Sequence, residues 1–190
     1  MLPDSVSTGS SSLRPNSGPT LPHLVKLKDG IEVLIRKAEP EDSRMLYLMF
    51  KSLSVVTVFR RFLMPNLRLE AADMQKMLED PSVTSLIATI RRDGKEQAVA
   101  EARYATDSTG RVAEAAVVVS DDLQNRGLGT ALFSDLIAEA RSQGLKTMFA
   151  YFDVDNKAII RVGQKFGFKL APMKGWPDYS MLKAELELER

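Results

Sequence analysis

The 190-residue sequence contains no cysteine and one histidine, His23. Without cysteine there is no disulfide, no thiolate metal site and no cysteine nucleophile. A single imidazole cannot build a multi-histidine centre, so no metal is expected. Charge of one sign is also lacking. Twenty-six basic residues stand against 25 acidic ones, a formal net charge of +1. That balance gives no reason to expect nucleic-acid binding, which shows as a basic excess. No apolar run reaches the roughly 18–20 residues of a membrane span, so no membrane partner is expected. Residues 1–22 lack the basic start and apolar stretch of a secretory signal, and a cytoplasmic location is the expectation. These residues are rich in Ser, Pro, Thr and Gly instead. Residues 1–25 therefore read as a disordered tail, with His23 a solvated linker residue, and 26–190 as one domain.

Apolar material is plentiful, at 44% of residues. Ile31 to Arg36 (IEVLIR) follows a turn at Asp29-Gly30 and reads as a strand. A helix is expected from Pro40, where Glu41 and Asp42 suit the N-terminal dipole. Ser54 is placed to cap a second helix through Phe62, and Leu69 to Leu78 is a third. Val83 to Arg91, Gln97 to Ala105 and Val112 to Ser120 are separated by short turns and predict an antiparallel meander. Leu128, Leu132, Phe133, Leu136, Ile137 and Ala140 then recur at helical spacing up to Gly144. A strand (145–152), a helix (156–166) and two further strands (168–171 and 179–186) complete the order. The prediction is an α/β protein of the α+β type, with a mixed central sheet of about six to seven strands flanked by helices.

The junction after Val112–Ser120 is the most informative place. The segment Gln124-Asn125-Arg126-Gly127-Leu128-Gly129-Thr130 opens a helix. The first turn of a helix has backbone N–H groups without internal partners, and with the dipole they attract an anion. Gly127 and Gly129 let a phosphate approach the backbone, Arg126 adds positive charge and Thr130 a hydroxyl. A Rossmann loop would want a third glycine where Leu132 stands, and a P-loop would want Gly-Lys-Ser/Thr, which is absent. From its glycines alone, the segment reads as an anion site at a helix start.

Gln124-x-x-Gly127-x-Gly129, after a strand and opening a helix, resembles the pyrophosphate motif of the GNAT acetyltransferases. Asp155-Asn156-Lys157-Ala158 followed by Gly167-Phe168 also resembles that family, and the likeness spans about residues 31–186. The run Leu53-Ser54-Val55-Val56-Thr57-Val58-Phe59-Arg60-Arg61-Phe62 is similar to the Leu-Ser-x-x-Ser/Thr-x-x-x-Arg-Phe segment of the bacterial Pat-type protein lysine acetyltransferases. Arg103-Tyr104, Ala113 to Val119 and Asp122 are similar to that group too. The resemblance implies a GNAT domain that takes acetyl-CoA as co-substrate and acetylates an amine, a protein lysine ahead of a small molecule. A non-catalytic acyl-CoA-binding module is the alternative from another class. Pat-type enzymes often carry a second, regulatory or synthetase-like domain, for which 190 residues leave no room.

The resemblance also assigns residues. Backbone groups of Val117 and Val119, with Leu123 at the loop entrance, would hold the pantetheine and the carbonyl oxygen. Gln124 to Thr130 would hold the diphosphate. Asn156 would contact the pantetheine arm, and it is equally a good helix N-cap. Glu114, set in an apolar strand, is expected to be partly desolvated and to serve as general base, as the Pat-type pattern implies. Two plainer readings of it remain: a solvent-facing strand residue, or a cross-strand partner of Arg103. Asp121 and Asp122 read as turn or cap residues first and as bases second. Arg60 and Arg61 read as a solvated helix face or as contacts for an acidic acceptor or the cofactor 3′-phosphate. Trp176 reads as core. One departure stands out: Gly163 occupies the position where many GNAT enzymes carry the tyrosine that protonates the leaving thiolate.

Overall fold

The computed structural model describes residues 20–64, 67–173 and 181–188. Eight strands form one sheet: β1 (His23–Lys26), β2 (Glu32–Lys37), β3 (Val83–Arg92), β4 (Lys95–Thr106), β5 (Val112–Val119), β6 (Thr147–Asp153), β7 (Lys169–Pro172) and β8 (Met181–Glu187). Their order is β1-β2-β3-β4-β5-β6-β8-β7. Five helices accompany them: α1 (Ser43–Ser52), α2 (Val55–Phe62), α3 (Ala71–Glu79), α4 (Leu128–Ser142) and α5 (Lys157–Lys165). Neighbouring strands are antiparallel except β5 and β6, which run parallel with α4 as their crossover. The expected meander is β3-β4-β5.

The alternation of burial along the strands produces two cores. Leu86, Ala100, Ala102, Tyr104, Ala113 and Ala115 face α4, whose Leu132, Phe133 and Leu136 are fully buried against them. On the opposite face Ile87, Ala98 and Val118 meet Leu46, Met49 and Phe50 of α1 and Met74 of α3. The helix starts follow the local chemistry. Ser54 caps α2 by accepting a hydrogen bond from the Thr57 N–H at 3.3 Å, and Asn156 caps α5 by accepting one from Ile159 at 3.4 Å.

Three expectations need correction. The sheet has one or two strands more than foreseen, and β1 is the strand missed. Its four residues (His23-Leu24-Val25-Lys26) are held by pairing with β2 and by packing against distant residues, so no local signal marks them. For the same reason His23 is not a solvated linker residue. It is half-buried, pairs with Ile35 across the sheet, and lies 3.4 Å from the buried Asp135 carboxylate of α4. Burial raises the Asp135 pKa, partly offset by His23. Finally, the helix after β5 begins at Leu128 rather than Gln124, because residues 121–123 form a separate 3-10 turn. The expectations for Trp176 and for residues 1–19 lie outside the described residues. Among the described residues no helix is long and apolar enough to cross a membrane.

Candidate active site

β5 and β6 pair only from Val112↔Thr147 to Glu114↔Phe149, although β5 continues to Val119 and β6 to Asp153. Beyond that point the two strands part, and a cleft of about 370 Å³ opens between them. It runs from the α4 face of the sheet to the α2 face, because its walls include Gly127, Gly129 and Phe133 on one side and Thr57, Arg60 and Arg61 on the other.

The parting frees backbone groups. The Ser120 N–H donates to Val99 of β4 at 2.8 Å. By alternation along an antiparallel strand, Val118 and Ala116 also turn their backbone groups toward β4, while Val117 and Val119 turn theirs toward the cleft. The Val119 carbonyl agrees, accepting from the Gln124 side chain at 3.1 Å. The N–H groups of Val117 and Val119 therefore face the gap with no β6 partner in the ladder.

At the mouth on the α4 side, Asn125 (φ 61°) and Gly127 (φ 98°) adopt left-handed conformations that turn the chain sharply into α4. No side chain caps this helix, and the first bond of its ladder runs from the Ala131 N–H to the Gly127 carbonyl at 3.0 Å. The N–H groups of the first turn are thus left for an anion. Gly129 packs tightly too, since a Cβ there would sit 3.4 Å from Val119 Cγ2.

The structure divides the sequence-assigned residues. Val117, Val119, Gln124, Asn125, Gly127, Gly129, Thr130 and Asn156 all line the cleft. Leu123 and Leu128 do not: their side chains are buried in the α4 core, which leaves only their backbone for a ligand. Arg126 also turns away from the cleft. Its guanidinium pairs with Asp29 and donates to the Asp122 carbonyl at 2.6 Å, because the tight turn carries the side chain outward to the β1–β2 loop. Glu114 is exposed rather than partly desolvated. It makes no ion pair with Arg103 within 4 Å, although the two charges act on each other.

Several residues that sequence reasoning passed over or placed differently are organised around the α2 face. Register puts Arg103 opposite Ala116, and Ala116 lines the cleft. Glu101, on the same face of β4, has no exposed side-chain surface and accepts from Arg61 Nη2 at 2.9 Å and from Ser85 Oγ at 3.1 Å. Burial alone would raise the Glu101 pKa, but Arg61 and Arg103 hold it below its ordinary value. Arg61 is thus a buried ion-pair partner, not a solvated helix face. Arg60 reaches across the gap to Asp153 at 3.4 Å, and the Tyr151 side chain stands on the same face of β6. Nearer the loop, Asp121 accepts from the Ser54 N–H, Ser54 Oγ and Thr57 Oγ1 at 2.8, 2.9 and 2.6 Å. Gln124 Nε2 donates to Thr57 Oγ1 at 3.2 Å. A glutamate within an apolar strand, paired in sequence with an arginine two residues on, was the available signal for Glu101. Nothing local marks Thr57 as a partner of Gln124.

The sequence profile of the acetyltransferase (GNAT) family matches residues 53–168. The chain is 34% identical over 85 residues to an L-methionine sulfoximine/L-methionine sulfone acetyltransferase of Pseudomonas paraeruginosa, covering 40% of this chain and 49% of that one. It thus spans about half the length of the curated relatives it matches. Among solved structures, the GNAT domain of S. lividans PAT superposes with a TM-score of 0.73 at 25% identity, over 87% of this chain and 96% of that one. The structure of yncA from Salmonella typhimurium with its cofactor acetyl-CoA has the same fold, with a TM-score of 0.67 at 22% identity over 83% and 95%.

Proposed function

The chain belongs to the acetyltransferase (GNAT) family, and on that premise we propose that it transfers the acetyl group of acetyl-CoA to an amine. The observation that carries the proposal is the uncapped start of α4, with Gly127 and Gly129, opening onto a cleft whose β5 edge is unpaired. The diphosphate of CoA fits the helix N-terminus. The pantetheine runs along β5 as an added strand, bonded by Val117 and Val119, and Asn156 meets it from α5. The N–H groups facing the gap also receive the charge that grows on the thioester oxygen.

The amine nitrogen attacks the thioester carbonyl carbon, the C–S bond breaks, and CoA leaves as its thiolate. An amine of pKa about 10.4 must first lose a proton, at a cost of about 4–5 kcal/mol at pH 7. Glu114 is the proposed base. It stands on the α2 face of β5, where an acceptor enters, and as an exposed carboxylate it takes the proton through water. With Gly163 in the place of the family tyrosine, the thiolate leaves unprotonated or is met by water.

Protein lysine is the acceptor that the Pat-type likeness of Leu53–Phe62 favours, and the S. lividans PAT domain supports it. A small amine that carries an anionic group is the second reading, favoured by the guanidiniums of Arg61 and Arg103 on the α2 face. The Pseudomonas relatives, whose names give amino-acid substrates, support it. A cytoplasmic location belongs to the same proposal. Thiol release from acetyl-CoA, measured against lysine peptides, free amino acids and simple amines, tests all of this. Tight acetyl-CoA binding with no release against any acceptor would leave a binding module instead of an enzyme.

A further inference from the structure

We propose that Arg103, packed with Arg61 against Phe62, is a carboxylate-binding subsite beside the acceptor half of the cleft, so that the acceptor is a free α-amino acid. The inference rests on the acetyl-transfer reading above and selects its second acceptor.

Arg61 and Arg103 face two carboxylates, the exposed Glu114 and Glu101, whose side chain has no exposed surface, yet neither carboxylate gives Arg103 a hydrogen bond. Arg61 takes one Glu101 oxygen at 2.9 Å, and Ser85 donates to the other at 3.1 Å. Arg103 is left with Glu101 Oε1 at 3.8 Å, too far for a hydrogen bond. Its guanidinium donates no hydrogen bond among the described residues, although only 21% of the side chain is exposed. Arg61 Nε, on a side chain with 4% exposure that lines the cleft, is also without a partner among the described residues. A guanidinium presents five N–H donors, and burying them unpaired is costly. Burial pushes the Arg103 pKa down to about 10, and Arg61 adds to the fall, against the opposing pull of Glu101 and Glu114.

The geometry of the pair suits one chemical class. The Phe62 ring lies 4.9 Å from the Arg61 guanidinium and 5.9 Å from that of Arg103, and so holds both in place. A planar fork held in this way matches a carboxylate through two parallel bonds. Arg103 lies opposite Ala116, which lines the cleft, and Glu114 stands two residues before Ala116 on the same face of β5. An α-amino acid has one carbon between its carboxylate and its amine. With the carboxylate on Arg103, the amine falls beside the cleft, within reach of Glu114 and of a thioester lying along β5. A peptide lysine has no carboxylate near its Nζ and would leave Arg103 unpaired.

The test uses the full chain, acetyl-CoA and matched acceptors: free L-amino acids, including methionine sulfone, the carboxamides of the same amino acids, and a lysine peptide blocked at both ends. The expected result is a kcat/KM for the acid at least about tenfold above that for its amide, carried by KM, as one charged hydrogen-bonded pair would give. Arg103→Met should narrow the acid-to-amide ratio to within about twofold, and Arg103→Lys should recover part of it. Calorimetric binding of acetyl-CoA to each variant reports folding. If Arg103→Met does not bind, the wild-type ratio and Arg103→Lys decide the matter. Equal use of acid and amide, or a wild-type ratio preserved in Arg103→Met, overturns the subsite. Acetylation of the lysine peptide alone also overturns it and leaves the transferase standing. No thiol release with any of these acceptors overturns both.

Discussion

Arg61 of α2 and Glu101 of β4 meet through a 2.9 Å hydrogen bond at a point where the carboxylate has no contact with solvent. The pair ties the wall of the acceptor side to the central sheet. Removing Arg61 leaves the buried Glu101 with only Ser85 and the more distant Arg103, so Arg61→Met should cost about 3 kcal/mol, while Arg61→Met combined with Glu101→Leu should recover most of it. Denaturant unfolding followed by circular dichroism measures both. The pair also sets a pH response. The folded pKa of Glu101 is held below its unfolded value of 4.5. Its contribution is therefore complete above that value and is lost as the pH falls below 4.5 toward the folded pKa. A Glu101→Gln variant should lose less stability than wild type over that acid range, and parallel acid-unfolding curves would show otherwise.

Thr57 joins α2 to the segment between β5 and α4. Its hydroxyl donates to Asp121 at 2.6 Å and accepts from Gln124 at 3.2 Å. Thr57→Val keeps the shape and removes both bonds as well as a third, accepted from Ser54 Oγ at 3.2 Å, so the KM for acetyl-CoA should rise about two- to tenfold. Thr57→Ser should restore it. A Thr57→Ser variant as weak as Thr57→Val would mean that the hydroxyl alone does not suffice and that packing by the methyl group is needed as well.

If Glu114 takes the amine proton, Glu114→Gln should lower kcat at pH 7 by about a hundredfold or more and abolish the acid limb of its pH profile. Acetyl-CoA binding, measured separately, should hold. A rate at pH 7 within about twofold of wild type would remove the base assignment.

Gly127 and Gly129 should respond differently to alanine. Gly127 has φ 98°, where a Cβ is strained, so Gly127→Ala should lose about 1 kcal/mol of stability together with CoA affinity. Gly129 has ordinary helical backbone and its Cβ would rest 3.4 Å from Val119 Cγ2. Gly129→Ala should therefore melt within a degree or two of wild type while its KM for acetyl-CoA rises, because the new methyl sits over the first helical turn. Melting curves and initial rates on the two variants make the comparison.

Gly163 holds α5 close to β6. A Cβ there would lie 2.7 Å from Phe152 Cε2, so Gly163→Ala should destabilise the fold by about 1–3 kcal/mol. Restoring the tyrosine common in the family should do more harm, lowering the melting temperature without raising thiol release. A Gly163→Tyr variant that gained activity would show that the ring can be accommodated and the phenol used.

Much of the fold was legible because its signals are local. Val83–Arg92 and Val112–Val119 carry strand composition between turn residues, and Ser54 and Asn156 cap the helices they precede. The glycine loop announced an anion at a helix start for the same reason: uncapped N–H groups and left-handed glycines are properties of a few consecutive residues. β1 was missed because His23–Lys26 has no pattern of its own and exists by pairing with β2.

The side-chain assignments divide along the same line. Sequence alone determined that Gln124, Gly127, Gly129 and Thr130 would share one turn, since they are neighbours in the chain. It could not determine that Arg126 of the same turn would swing out to Asp29, that Glu114 would stand uncovered, or that Arg61 and Arg103 would converge on Glu101. Those outcomes depend on where β5 and β6 part and on how α2 lies across the sheet. Tertiary structure decides them because burial and charge pairing are set by residues far apart in the chain, and the free energy of a charge depends on what surrounds it in space.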